Sequence, residues 1–190
     1  MATLPPYPTT DADVAIGDAI HILDHILQSP VALAVWRRAA PAGIAMLDLD
    51  SVDDLSFTLD PNDDAIAPLL DAGYPTDTAR ALRDDIAMLA LAHRRLTGAR
   101  TIAVRLDVIE TDACHRFHAD YVTLRMLSTY CGAATQWCRT ATPDTIGQLG
   151  TGDVGVFKGR IAMAEPTILH RSPPVRATGE QRLLLVLDPA

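Results

Sequence analysis

His118 and Asp120 stand two residues apart, and His170 follows far along the sequence. Two neutral imidazoles and a carboxylate are the donors of a facial triad, which grips a divalent cation from one side and leaves its other positions open to substrate and oxygen. Fe(II), Mn(II) and Zn(II) all accept this set, and its open positions distinguish it from a closed structural zinc site. Side chains two apart on a strand share a face, so His118 and Asp120 can both enter one interior, with His170 arriving from another strand. The competing reading puts His118 and Asp120 on a surface loop and lets His170 cap a turn ahead of Pro173-Pro174. Cys114 is a further candidate donor, and as a thiolate it would make a softer, zinc-favouring site.

The segments around these residues must fold so as to bring them together. After Gly98 the pattern is that of β-structure. Residues 101–110 alternate, with Ile102, Val104, Leu106 and Val108 on one side. Further strands are predicted over 121–130, 135–139, 153–157, 166–170 and 181–187, with Gly and Pro between them. Such a series predicts an antiparallel barrel or jelly roll. Leu183 to Leu187 is apolar on both faces, which calls for cover on both sides.

The first half reads as helical. Asp13 is placed to cap a helix running to about Gln28, with a stripe of Ile16, Ala19, Ile20, Leu23, Ile26 and Leu27. Residues 31–36 are β-capable, 41–47 and 65–70 suggest short helices, and 48–64 are acidic and turn-rich. The clearest helix begins at Thr76 or Asp77 and ends at Gly98. Its stripe is Ala79, Leu82, Ile86, Leu89, His93 and Leu96, and His93 reads as a hydrogen-bonded core histidine. Residues 1–12 read as a loose tail. The expectation is one α+β domain over 1–190, with a mainly helical half, 1–98, packed on a metal-binding β half, 99–190.

Composition narrows the function classes. A hydrophobic fraction of 48% supports a real core. A net charge of −8, with only Arg37-Arg38 and Arg94-Arg95 as basic clusters, argues against nucleic acid as a partner. No leader pattern and no membrane-length apolar run are visible, so a soluble cytoplasmic protein without a membrane partner is expected. Cys114, Cys131 and Cys138 make an odd number and read as reduced thiols. His21 and His25 lack the glutamate of the zinc-protease motif, and the glycines around Lys158 do not form a Walker loop. Oligomeric state leaves no mark in the sequence.

The order Phe117-His118-Ala119-Asp120, Tyr130-x-x-x-x-Thr135-x-Trp137, Gly152-Asp153, His170 and Arg182 resembles the iron(II)- and 2-oxoglutarate-dependent oxygenases. More narrowly, Phe-His-x-Asp, Thr129-Tyr130-x-Gly132, Phe157-Lys158-Gly159, His170-Arg171-Ser172-Pro173-Pro174 and the final Arg182-to-Asp188 run are similar to a bacterial family of unknown function associated with genes of metal, especially zinc, homeostasis. The resemblance covers roughly 98–188 and implies a double-stranded β-helix, a cupin-like jelly roll with the helical half packed on the barrel. It implies Fe(II) on His118, Asp120 and His170, with 2-oxoglutarate as cosubstrate. Arg182 is the basic residue that would take the far carboxylate, through the two parallel hydrogen bonds that a guanidinium offers. Arg125 is a second anchor candidate, although strict alternation from His118 puts it on the opposite face unless a bulge intervenes; the competing reading is a surface arginine in a cross-strand ion pair. Tyr130 is a third cosubstrate contact, and Arg171 and Lys158 are further possible ones. Many such oxygenases carry Ser or Thr two residues after the arginine, where Leu184 stands here. The implied reaction is hydroxylation of a small-molecule or peptide substrate that the sequence does not identify. The alternative is a non-catalytic, zinc-binding cupin-like protein of metal homeostasis, which Cys114 and Leu184 favour.

Overall fold

The computed structural model describes residues 12–176 and 178–190, so the tail expected at the start lies outside them but for its last residue. The doubly apolar run becomes β10 (Arg182–Pro189), near the middle of a seven-stranded sheet. It pairs antiparallel with β4 (Ile102–Ile109) on one side and with β5 (Leu124–Cys131) on the other. β3 (Leu55–Leu59) lies beyond β4, while β8 (Val154–Lys158), β2 (Leu33–Trp36) and β1 (Val14–Gly17) follow β5. A second sheet has β6 (Gln136–Arg139) between β7 (Thr142–Gln148) and β9 (Ile168–Arg171).

Strand alternation sorts the apolar side chains into two cores. Leu183, Leu185 and Leu187 of β10, with Ile102, Val104 and Leu106 of β4, lie beneath the helices. Leu184 and Val186, with Leu127 of β5 and Leu33 and Val35 of β2, meet Trp137 and Ile168 of the small sheet. At about 1.5–3 kcal/mol per buried large aliphatic side chain, both faces of β10 hold the layers together. The molecule is therefore a mixed α+β structure, with helices on one face of the large sheet and the small sheet on the other.

The helical layer consists of α1 (Ile66–Asp71), α2 (Thr76–Thr97) and a 3-10 helix, Ile20–Leu27. α2 buries the stripe read from the sequence and stops at Gly98, whose left-handed backbone (φ 71°) lets its N–H reach the Arg94 carbonyl. None of the described helices is long and apolar enough to cross a membrane.

Three local readings need correction. The helix expected from Asp13 is β1 followed by the 3-10 helix, because Val14 to Gly17 pairs in parallel with β2. Asp13 caps no helix; its carboxylate accepts two hydrogen bonds of 3.0 Å from Arg139. An available sheet edge outweighed a weak helical period, since strand formation depends on partners more than on intrinsic propensity. The acidic stretch over 48–64 hides β3, whose Leu55 and Leu59 are buried against β4. β7 is largely exposed and polar, so it carries no apolar alternation to read. The segment 1–98 thus supplies three strands of the large sheet besides its helices.

Candidate metal centre

His118 does not sit on a long strand. It forms an isolated bridge to β9, its N–H donating to the His170 carbonyl at 3.0 Å and its carbonyl accepting the reverse bond at 2.9 Å. Directly opposed residues of an antiparallel bridge project to the same side, and the two imidazole centroids are 4.8 Å apart. Asp120 returns to that side. Its Oδ2 is 3.0 Å from His170 Nε2, and its Oδ1 is 3.8 Å from His118 Nε2. One donor atom from each of the three residues lies within 4.8 Å of the others. The three side chains thus lie together, although residues 119–123 form no strand.

The orientation of each donor has a cause. His118 Nδ1–H donates to the Arg116 carbonyl at 2.8 Å, which leaves the lone pair on Nε2. His170 is packed against Phe157, ring centroids 4.7 Å apart, and is 6% exposed. Arg125 Nη1 holds Asp120 Oδ1 at 2.5 Å. Asp120 Oδ2 is buried and has no hydrogen bond of normal geometry, with His170 Nε2 as its near neighbour at 3.0 Å. A buried acceptor left this way is costly unless a cation completes it. Burial pushes the Asp120 pKa up, but contact with His170 and the nearby Arg125 and His118 outweigh it and hold the pKa at about 2. Burial pushes His170 below its ordinary value, against the pull of Asp120. At neutral pH the pair is therefore a carboxylate and a neutral imidazole, the protonation states a divalent metal requires.

Arg182 lies on the last strand, fully buried. Its Nε donates to the Ala133 carbonyl and its Nη2 to Thr129 Oγ1 at 3.4 Å, while Nη1 has no partner. No carboxylate pairs with it among the described residues. Burial therefore holds its pKa down to about 10, only partly opposed by Glu180 and Cys114. Gly132 permits this packing. It has φ 74°, and a Cβ there would run into the Gln181 carbonyl and stand 3.0 Å from Arg182 Cγ.

Tyr130 differs from the sequence reading, and Arg125 follows its ion-pair alternative. Residues 118–123 are not a continuous strand, so alternation counted from His118 never reaches Arg125. Arg125 does line the cleft beside the trio. Its guanidinium is occupied by Asp120 and by both oxygens of Asp188, at 2.8 and 2.6 Å, so it is no free carboxylate anchor. Tyr130 belongs to the opposite face of β5. It packs with Leu124 and Met126 in the core under the helices, and its hydroxyl donates to Asp85 Oδ2 at 2.6 Å. Asp85 in turn pairs with Arg38. Tyr130 therefore cannot touch a ligand beside the trio.

The trio opens on a cleft of about 450 Å³, mouth included, with Ile109, Leu127, Leu184 and Val186 as its apolar floor. Cys114 lines it but is not among the grouped donors. Arg171 also lines it, bonded to Gln136 Oε1 at 2.8 Å and set over the Phe117 ring at 4.4 Å. Lys158 instead donates to the Gln28 carbonyl at 3.2 Å, outside the cleft lining. Sequence reading missed Arg105 and Asp107, which line the cleft on the other face of β4 from Val104 and Leu106. Their alternation was visible, but nothing local showed which face of the strand would meet a cavity.

A family model described as "Protein of unknown function (DUF1826)" matches residues 17–188. No curated protein matches the sequence. Among solved structures, the dioxygenase for auxin oxidation (DAO) in rice aligns with a TM-score of 0.56 at 12% identity, covering 94% of this chain and 83% of that one. A Pseudomonas putida prolyl-4-hydroxylase aligns with a TM-score of 0.51 at 13% identity, covering 89% of this chain and 96% of the other. At such identities the likeness is one of fold.

Proposed function

The chain belongs to the DUF1826 family of proteins of unknown function, and on that footing we propose that it is an Fe(II)- and 2-oxoglutarate-dependent oxygenase built on a double-stranded β-helix. The fold reading is supported by the order in which successive strands alternate between the sheets. β4, β5, β8 and β10 lie in the large sheet, and the His118 bridge, the β6–β7 hairpin and β9 fall between them in the small one. That succession supports a jelly-roll reading.

The observation that carries the cosubstrate is Arg182. A buried guanidinium without a carboxylate is expensive, and a ligand carboxylate would complete it. Leu184 stands where many such oxygenases have a hydroxyl, but Thr129 Oγ1 supplies a hydroxyl beside the guanidinium from the neighbouring strand. His118, Asp120 and His170 would hold the metal. Iron bound there would supply oxygen activation coupled to 2-oxoglutarate decarboxylation. The protein's own part is to keep Asp120 ionised and aimed through Arg125, to keep His170 neutral, and to line the reaction space with Leu127, Leu184 and Val186, which exclude water.

Anaerobic addition of Fe(II) and 2-oxoglutarate should produce a visible charge-transfer band that His170→Ala abolishes. A folded wild-type protein that binds iron yet gives no band overturns the cosubstrate assignment. Stoichiometric zinc surviving dialysis, without consumption of 2-oxoglutarate in air, would favour a non-catalytic zinc role instead.

A further inference from the structure

Three other arginines are already engaged by protein groups or by the reading above. Arg125 is tied to Asp120 and Asp188, Arg171 to Gln136 and Phe117, and Arg182 is assigned to the cosubstrate. One charged pair is left. Arg105 and Asp107 project from β4 beside the trio, and in the sheet their partners on β10 are apolar, Val186 and Leu184. Arg105 Nη1 meets Asp107 Oδ2 at 3.1 Å, with the side chains 44% and 25% exposed. Asp107 Oδ1 and Arg105 Nε and Nη2 make no hydrogen bond among the described residues.

The pair also stands at a junction. A second cavity, about 790 Å³ with its mouth, shares Arg105, Asp107, Ile109, Cys114 and Ser172 with the cleft of the trio. The pair therefore borders both cavities. Burial, with Asp54 nearby, keeps the Asp107 pKa above its ordinary value despite Arg105 and Arg125, so protein cations under-compensate its charge.

Resting on the reading of the cleft as an oxygenase site, we infer that the primary substrate is a free α-amino acid, its ammonium received by Asp107 and its carboxylate by Arg105. The spacing selects this class. The receptor charges are side by side, so the ligand charges must be side by side too. An α-amino acid separates them by one carbon, whereas ω-amino acids and peptides hold them far apart. Charge-assisted hydrogen bonds to the unused Asp107 Oδ1 and Arg105 nitrogens would orient the molecule. The rest of the amino acid would then run over Ile109, Leu184 and Val186 toward the trio, which presents one of its aliphatic C–H bonds for oxidation.

The test uses the full-length protein loaded with Zn(II), which blocks turnover, in saturating 2-oxoglutarate. Binding is followed by saturation-transfer NMR and calorimetry against three pools: the common L-α-amino acids, the matching carboxylic acids without the amino group, and the matching amines without the carboxylate. At least one amino acid should bind, with its matched acid and amine at least tenfold weaker. Asp107→Asn, and separately Arg105→Gln, should weaken that amino acid at least tenfold while leaving 2-oxoglutarate binding unchanged; circular dichroism checks that both variants fold. No amino-acid binding, equal binding of a matched acid or amine, or unchanged binding in both folded variants overturns the inference. Calorimetry of 2-oxoglutarate in the same samples keeps the two ideas apart. Amino-acid binding without 2-oxoglutarate binding rejects the cosubstrate and supports the receptor, and the reverse rejects the receptor alone.

Discussion

Asp120 and Arg182 are the two residues whose surroundings are incomplete in opposite senses. Asp120 has a buried oxygen without a hydrogen bond of normal geometry, and Arg182 a buried nitrogen without an acceptor. Each would be satisfied by a different ligand, so their variants should separate. Arg182→Met should leave Fe(II) affinity nearly unchanged and weaken 2-oxoglutarate about thirtyfold or more, the scale of losing one partner of a buried charge pair. Arg125→Gln should do the converse, lowering metal affinity by about tenfold to a hundredfold through a loosened Asp120, as removal of a ligand's supporting contact does. Titrations of metal and cosubstrate on both variants check the assignment; metal loss in Arg182→Met would contradict it. His118, Asp120 and His170 were legible as a candidate donor set because residue type and a two-residue step are local facts. That Arg125 serves the site by holding Asp120 was not legible, because Asp188 and Asp120 reach it only in the folded sheet.

At the scale of elements, β5 and α2 carry the consequences. β5 sends Arg125, Leu127 and Thr129 toward the cleft side and Leu124, Met126 and Tyr130 toward the helices. Tyr130→Phe should therefore lower stability by roughly 1–3 kcal/mol, leaving Asp85 short of a buried donor, and should not change 2-oxoglutarate binding. In α2, His93 is fully buried and neither ring nitrogen makes a hydrogen bond of normal geometry, contrary to the bonded core histidine expected. Burial lowers its pKa to about 4, against the opposing pull of Asp188 and the Leu124 backbone. The unfolded protein binds a proton below about pH 6.5 that the folded protein accepts only near pH 4. Stability is therefore fully present above about pH 6.5 and falls as the pH drops toward 4, by on the order of 3 kcal/mol in total. His93→Leu should flatten denaturant midpoints across that window. An unchanged acid slope in the variant would assign the loss to other groups.

For the molecule as a whole, the decisive feature is that one sheet draws strands from both halves of the sequence. β1, β2 and β3 come from the first half, and α2 covers Leu183, Leu185 and Leu187 from the second. A fragment of residues 99–190 would expose that core face and both flanks of the sheet. It should be unfolded or aggregated, while the whole protein should melt in one transition. Because the trio joins the His118 bridge to β9, a bound divalent metal should raise the melting temperature of the whole transition by several degrees at a hundredfold excess over its Kd. A separately melting first half, seen by calorimetry, would contradict this account.

Read alone, the amino acids specified short-range matters: the donor types at 118, 120 and 170, the alternation of β4, the period and glycine stop of α2, and the two-faced apolar run that became β10. Each follows from the reach of neighbours a few residues apart. Long-range matters were settled only on folding: which face of each strand meets the cleft, that β1 would pair where a helix was expected, and that Arg182 would be buried without a counter-charge while Arg125 found two. Those outcomes depend on pairings between segments distant in sequence, where a strand's side is set by its partner and a charge's fate by what the packed sheets bring beside it.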